Sequence, residues 1–549
     1  MCGIWAYIGT SAPNPKPWLA ALKGRGPESQ AHKQFPNGIL GFTRLAINGL
    51  NDAGMQPFVW GKYAWICNGE IYNWRDLKTR YNLPCESGSD CEILGPLWDR
   101  IQDPVAFCRA LDGVFAFVLF NNETGGILAA RDPYGVRPMY IGASDDSGET
   151  IIASEMKAIV GLLDTITDNI ETFKPGCVLY SPDAESNGEV CEYHTVPWVK
   201  NPALADEAEA HKHVRSALEA AVKKRMLTTE RPVAALLSGG VDSSLIAALV
   251  QRELRELKGP DAQLKTFSIG FAGSEDLRHA RMVADWIGSG HTEVVMTADE
   301  FFAAIPEVVR TIESFDVTTV RASVGNYLVS REIARSCDAK VVFNGDGSDE
   351  VFGSYLYFYN APGDEEFEAE VDRLLSDIHY FDVLRSDRSI SSNGLEARTP
   401  FLDKQFVAVA RSVATALRRP ITSERVEKQL LRDAFINSGL LPDAVLWRRK
   451  EAFSDGVSGK TKSWYEEIQE RVGALVPTDW RDTVARRFKH LTPETDEAYY
   501  YRDIFDCEYG CIAEKAATPY RWLPRWSGDA RDPSARTLKV YSDAACEAE

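Results

Sequence analysis

The rhythm of the chain changes near residue 200, and that change limits the fold more than any other feature. Before it, short apolar runs alternate with turn residues over 39–47, 64–68, 114–120, 126–130, 139–141, 150–153 and 178–180. Runs of this length and period predict antiparallel sheet. Loops rich in Ser, Asp and Gly over 144–149 and 182–189 read as hairpin connections. After it the order becomes strand 233–237, helix 243–258, strand 266–271, helix 277–287 and strand 291–296, then helix 322–336 and strand 341–343. Such alternation requires right-handed crossovers and a doubly wound parallel sheet, an α/β region to which helices are added from about residue 365. The expected division is 1–195, a linker over 196–206 with two prolines, 207–525, and a polar tail over 526–549.

Length and charge narrow the function classes. The 549 residues suffice for two to four domains, and 44% apolar residues is the fraction of a folded chain. Lys and Arg number 61 against 80 Asp and Glu, a net charge of −19. An acidic surface of that size repels phosphate backbones and anionic lipid, so neither nucleic acid nor a membrane surface is an expected partner. No stretch approaches the roughly 20 apolar residues that span a bilayer, and the first residues do not read as a secretory signal; a cytoplasmic protein is expected. Eleven irregularly spaced cysteines make no disulfide framework. Cys507 and Cys511 stand one helical turn apart, and without further ligands nearby they read as helix packing rather than half a metal site.

A strand that ends in Leu237-Ser238-Gly239-Gly240 and turns into a helix through Val241-Asp242-Ser243-Ser244 points free backbone N–H groups at one spot, where the helix dipole favours negative charge. That is a phosphate cradle. The glycines permit close approach, and the hydroxyls of Ser238, Ser243 and Ser244 add donors. Phosphate repels Asp242 unless a cation intervenes, so Asp242 reads as a Mg²⁺ ligand. The plainer alternative is a glycine turn with a Ser cap; the lysine of a Walker A loop is missing. Asn344-Gly345-Asp346-Gly347-Ser348-Asp349-Glu350 follows strand 341–343 and so lies at the same carboxyl edge of the sheet. Alone it reads as an acidic surface turn. Beside a phosphate cradle, its carboxylates require a divalent ion or a proton, which makes Asp349 the second expected metal ligand and Asp346 a candidate base.

Cys2 gains meaning when Met1 is removed. The freed α-amine, with an ordinary pKa of about 8, is then a base for the thiol of its own residue. A Cys at position 2, taken alone, is more often incidental. The motifs Cys2-Gly3-Ile4, Arg25-Gly26-Pro27, Arg44-Leu45-Ala46-Ile47, Asn68-Gly69-Glu70-Ile71-Tyr72-Asn73, Gly88-Ser89-Asp90-Cys91-Glu92 and Arg131-Asp132-Pro133-Tyr134-Gly135 are together similar to a class II glutamine amidotransferase domain. The second half resembles an ATP-pyrophosphatase synthetase domain through Ser238 to Ser244, the segments 316–323, 344–355 and 396–403, and 447–457. In order and spacing the whole resembles the glutamine-hydrolysing asparagine synthetase family from residue 2 to about 525.

The resemblance implies an N-terminal Ntn-hydrolase-like αββα sandwich of the α+β class joined to the α/β domain, with glutamine, aspartate and ATP as small-molecule partners, Mg²⁺ as cofactor and a homodimer as the assembly. It further implies that Cys2 attacks glutamine, that Asn68 and Gly69 form an oxyanion hole, that Arg44 holds the substrate carboxylate, and that Glu70 and Asp90 hold its ammonium. In the second half it implies an ATP site at Leu237, Ser238, Gly239, Gly240, Asp242, Ser243, Ser244, Ile269, Asn344 and Gly345, and metal ligation by Asp242 and Asp349. Thr318, Thr319 and Arg321 then border the aspartate and acyl-adenylate, Asp346 is the general base and Lys450 stabilises charge on the phosphate. A tunnel between the sites would keep ammonia unprotonated. The chain departs from the family at Asp346, where many members carry Glu, at Glu28, where Asp is usual, and at Gly24, where His is common. A relative that amidates another carboxylate is the alternative, as in β-lactam synthetase-like enzymes, which typically lack the N-terminal Cys, or surface-polysaccharide amidotransferases; 318–358 and 396–403 favour aspartate. A non-enzymatic paralogue conflicts with intact Cys2, Asp242, Asp349 and Lys450.

Overall fold

The computed structural model describes residues 1–144, 148–163, 169–195, 203–421, 425–449, 456–458 and 462–528. The first half contains β1 (Gly3–Ile8), β2 (Ser29–Phe35), β3 (Gly38–Arg44), β4 (Phe58–Trp60), β5 (Tyr63–Ile71), β6 (Gly113–Asn121), β7 (Gly125–Arg131), β8 (Tyr140–Ala143), β9 (Thr150–Ala153), β10 (Asn169–Thr172), β11 (Cys177–Asp183) and β12 (Glu189–Glu192). They form two antiparallel sheets, ordered β10-β8-β9-β1-β3-β2 and β12-β11-β7-β6-β5-β4. Successive side chains on a strand point to opposite faces. Accordingly Ile4 and Ala6 of β1 pack with Ile66, Ala116 and Val118 of the second sheet, while Trp5 and Tyr7 join a core that includes Phe301 and Ile305 of the second half. The outer face of the second sheet is covered by helices Trp74–Tyr81, Leu94–Ile101 and Pro104–Ala110, whose Leu77, Leu97 and Phe107 meet Phe115 and Phe117. The expected hairpins 144–149 and 182–189 join β8 to β9 and β11 to β12, with 145–147 outside the described residues.

The second half is built on β13 (Val233–Leu236), β14 (Lys265–Gly270), β15 (Gly290–Val295), β16 (Val341–Phe343) and β17 (Glu396–Arg398), in the order β15-β14-β13-β16-β17 with every pairing parallel. Strand order reverses between β13 and β16, and doubly wound sheets bind ligands at the carboxyl ends of strands flanking such a reversal. Helix Val241–Lys258 buries Leu245, Ile246, Leu249 and Val250 completely, each contributing about 1.5–3 kcal/mol of transfer free energy. The helix expected over 322–336 starts earlier, at Val317, because the Asp316 side chain caps it by accepting from the Thr319 N–H.

Two strands carry no periodic signal. β2 is an edge strand reading SQAHKQF, held to β3 by backbone bonds with little to bury, and β17 is three residues with a charge at each end. Of the expected linker, 196–202 lies outside the described residues; Leu204 exchanges backbone bonds with Ser412 and Ala414, and Asp206 caps helix Glu207–Met226, so the remainder is fixed to the second half. The expected tail likewise begins in packed structure, with the Trp526 ring against Tyr357 and Phe358, and 529–549 lies outside the described residues. Cys507 and Cys511 are not on one helix: Asp496–Tyr509 ends before Gly510, and both cysteines are exposed.

Candidate active sites

The N-terminal site forms around β5. Asn68 is wholly buried, and neither its amide nitrogen nor its oxygen has a hydrogen-bond partner among the described residues. Each such orphan costs about 1–3 kcal/mol, so the pair is a standing invitation to a polar ligand. Gly69 admits no side chain, since a Cβ would stand 2.3 Å from the Val114 carbonyl oxygen. Buried Glu70 and Asp90 are linked by Asn48, whose amide donates to Glu70 at 2.7 Å and reaches Asp90 at 3.5 Å. The second Asp90 oxygen accepts from the Ile71 N–H at 2.6 Å. Burial pushes the Asp90 carboxyl up to about 6, and burial with the neighbouring Asp90 and Glu396 carboxylates pushes Glu70 well above its ordinary value. Paired carboxylates in this state attract a cation such as an α-ammonium.

Cys2 leads into β1, and its thiol donates to the Leu45 carbonyl at 3.5 Å. Arg25 Nε donates to the Cys2 carbonyl at 2.9 Å, while its Nη1 pairs with Glu155 at 2.8 Å and with Asp387 of the second half at 2.7 Å. Met1 is present and buried, its ammonium donating to the Leu395 carbonyl at 3.0 Å, and burial lowers that amine to about 5. With Met1 attached, the Cys2 nitrogen is an amide, and burial raises the thiol to about 11. Arg44, expected to hold a substrate carboxylate, instead donates to the Asn51 and Gly49 carbonyls at 2.8 and 2.5 Å, fixing that loop.

In the second half the loops after β13 and β16 touch, with Gly345 so near that a Cβ would lie 2.8 Å from the Ser243 nitrogen. Helix Val241–Lys258 begins at Gly240 without a side-chain cap, and the Ser238 and Ser243 hydroxyls lie 3.0 Å apart. Leu237, Ser238, Gly240, Asp242, Ser243, Ile269, Thr318, Thr319, Asn344, Gly345, Asp346 and Asp349 line one cavity of about 240 Å³. The buried Lys428 ammonium bridges Asp242 and Asp349 at 2.5 and 2.7 Å. Ser348 orients Asp242 at 2.7 Å and Ser354 orients Asp349 at 2.6 Å. One cation thus already serves both carboxylates, and an all-oxygen donor pair so oriented fits a hard divalent ion. Asp346 faces Arg385 at 3.5 Å, and Arg385 pairs with Asp382 at 2.7 Å. Burial raises the Asp346 carboxyl, with Arg385 opposing.

Three expected residues do not reach this cavity. Arg321 forms a bidentate pair with Glu497 at 2.7 and 2.6 Å, tying its helix to Asp496–Tyr509. Two residues along a helix rotate a side chain by about 200°, so Arg321 faces away from the side that carries Thr319. Ser244 is buried in its helix's packed face, and Gly239 forms the back of the loop. Lys450 lies outside the described residues. Sequence reasoning missed Tyr355, Asp382, Arg385 and Lys428 in the lining. The three-residue spacing of Asp382 and Arg385 on helix Asp382–Ser391 is the one local signal among them.

The family model for a glutamine amidotransferase domain matches residues 1–181, and that for asparagine synthase matches 213–371 and 360–527. The glutamine-hydrolysing asparagine synthetase of Cricetulus griseus is 40% identical over 571 residues, covering 99% of this chain and 100% of the relative. That of Homo sapiens is 40% identical over 570 residues, with the same coverage. Among solved structures, the glutamine phosphoribosylpyrophosphate amidotransferase of B. subtilis covers 53% of this chain and 81% of its own at 17% identity and a TM-score of 0.30. The two family models and the full-length identity lead to one conclusion: the chain belongs to the glutamine-hydrolysing asparagine synthetase family.

Proposed function

We propose that this chain makes asparagine from aspartate, taking nitrogen from glutamine and activation from ATP. The observation that carries the reading is the 40% identity to glutamine-hydrolysing asparagine synthetases over the full length of both chains.

In the N-terminal site, removal of Met1 turns the Cys2 nitrogen into an amine that takes the thiol proton. The thiolate attacks the glutamine amide carbon, and the oxyanion is held by the Asn68 amide and the Gly69 N–H. Ammonia leaves, and water hydrolyses the thioester to glutamate. Glu70 and Asp90 receive the α-ammonium, and Arg44 turns to the carboxylate when substrate displaces the loop carbonyls from its fork. In the second site the aspartate β-carboxylate attacks the α-phosphate of ATP, expelling pyrophosphate and leaving β-aspartyl-AMP, from which ammonia displaces AMP. The first N–H groups of helix Val241–Lys258 and the hydroxyls of Ser238 and Ser243 hold phosphate oxygens. Asp242 and Asp349 would hold Mg²⁺, which when bound would supply positive charge to offset that of the phosphates. Lys428 gives up its bridge and is then placed to pair with pyrophosphate. Thr318 and Thr319 border the acyl group, Asp346 accepts a proton from the attacking ammonia, and Lys450 stabilises the transferring phosphate.

The same proposal includes the division into a glutaminase domain of Ntn-hydrolase type and a synthetase domain, and the homodimer and cytoplasmic location implied by the resemblance. No helix among the described residues is long and apolar enough to cross a membrane. The test is product formation from aspartate, Mg-ATP and either glutamine or ammonium. Equal amounts of asparagine and pyrophosphate are expected from both nitrogen sources. Glutamine hydrolysis with no ATP cleavage in the presence of aspartate would reassign the acceptor to another carboxylate.

A further inference from the structure

One residue belongs to both sites. Arg398, the last residue of β17, is buried, and every nitrogen of its guanidinium is engaged. Nε donates to Glu396 at 2.9 Å, Nη1 to the Thr228 hydroxyl at 3.1 Å and to the Arg225 carbonyl, and Nη2 to the Thr228 carbonyl at 2.9 Å. Nη2 also stands 3.2 Å from Glu70 Oε2 in the N-terminal site. The main chain of Arg398 serves the other site. β17 pairs with β16 with Phe343 opposite Arg398, and the Asn344 N–H donates to the Arg398 carbonyl at 3.1 Å. The Asn344 side chain in turn accepts from the Asp346 N–H at 3.3 Å. Three contacts therefore run from the Glu70 carboxylate through Arg398 and Asn344 to the candidate base.

The chemistry of the contact gives it a purpose. Burial, Asp90 and Glu396 all disfavour the charged form of Glu70, and Arg398 is the foremost group opposing them. A guanidinium stays charged, and its rigid fork fixes a partner in direction as well as distance. Asn48 holds Glu70 from the first half with a neutral amide; of the two guanidiniums that favour its charge, Arg398 of the second half is the one in ion-pair contact, with Arg137 of the first half the lesser influence.

We propose that Arg398 is a positioning residue for glutamine: its guanidinium aims the Glu70 carboxylate that receives the substrate ammonium, so the glutamine pocket is complete only with β17 docked against it. The proposal rests on the reading of Glu70 as a glutamine ligand. Glutaminase kinetics of the full chain carrying Arg398→Met, Arg398→Lys, Glu70→Gln or Glu70→Gln with Arg398→Met test it. In Arg398→Met the KM for glutamine rises about tenfold or more while kcat stays within threefold, because the buried Glu70 carboxylate loses the charged partner beside it. Arg398→Lys, which keeps the charge without the fork, recovers part of that loss. Because Arg398 acts through Glu70, the double variant's KM is no higher than that of Glu70→Gln. A KM within twofold of the parent in Arg398→Met, with Glu70→Gln raised, overturns the proposal and leaves the Glu70 reading intact; an unchanged KM in Glu70→Gln overturns that reading itself. A fall in kcat as large as the rise in KM, with Arg398→Lys no better than Arg398→Met, also overturns it, since that is the mark of a merely structural residue.

Discussion

The two active sites await their substrates in opposite ways. In the N-terminal site the Asn68 amide stands unpaired among the described residues, its backbone fixed on β5 opposite Ala116 of β6. In the synthetase site the carboxylates have found cations, Lys428 bridging Asp242 and Asp349 and Arg385 facing Asp346, while the Thr318 hydroxyl is orphaned as Asn68 is. Charge explains the difference. A neutral amide left orphaned costs about 1–3 kcal/mol, which a folded chain can bear, whereas an unpaired buried carboxylate costs several times more and must be met by an ammonium or guanidinium. On the proposed reading a ligand meets the Asn68 amide directly, whereas the Arg44 fork in the first site and the Lys428 bridge in the second have to exchange internal partners for external ones.

The comparison breaks or holds first on the source of nitrogen. Cys2→Ala abolishes glutamine-dependent synthesis, by more than about 10³-fold, and leaves synthesis from ammonium. Asp242→Asn is the mirror image, abolishing synthesis from both sources while glutamate is still released from glutamine. Parallel assays of asparagine and glutamate decide it, and loss of both activities in Cys2→Ala would mean that the sites are not separable. A smaller effect belongs to Asn68→Ala, which lowers glutaminase kcat by about 10²–10³-fold, the range for one oxyanion donor. Because the alanine also removes two orphaned polar atoms, melting experiments should find that variant no less stable than the parent. The smallest effect follows from Asp90, raised by burial to about 6. Above that pH it is charged and attracts the α-ammonium; as pH falls through it the carboxyl is protonated and the KM for glutamine climbs, by at most tenfold per unit for one ionisation. A kcat/KM profile for glutamine hydrolysis between pH 5 and 8 checks the midpoint.

What was legible in the sequence was local. Ser238 to Ser244 and Asn344 to Glu350 each occupy a contiguous strand-to-helix connection, so alternation alone places both at one sheet edge, and the structure brings their backbones into contact at Gly345. What was not legible is tertiary. Lys428 lies 186 positions from Asp242 and sits in no recognisable motif. Arg321 misled because neighbours in a motif suggest a common direction, which helical rotation denies. β17 stayed hidden because its two charged residues are buried by partners from the other half of the chain, and no periodicity can announce such partners.

The burial of Met1 sets a clock on maturation. Its amine is capped by the carbonyl of Leu395, which lies 394 positions along the chain. At about 5–20 residues per second of synthesis, that carbonyl follows Met1 by about 20–80 s. Once the second half docks, the Met1 amine is buried against it, so on the proposed mechanism removal of Met1 has to precede docking if Cys2 is to gain a free amine.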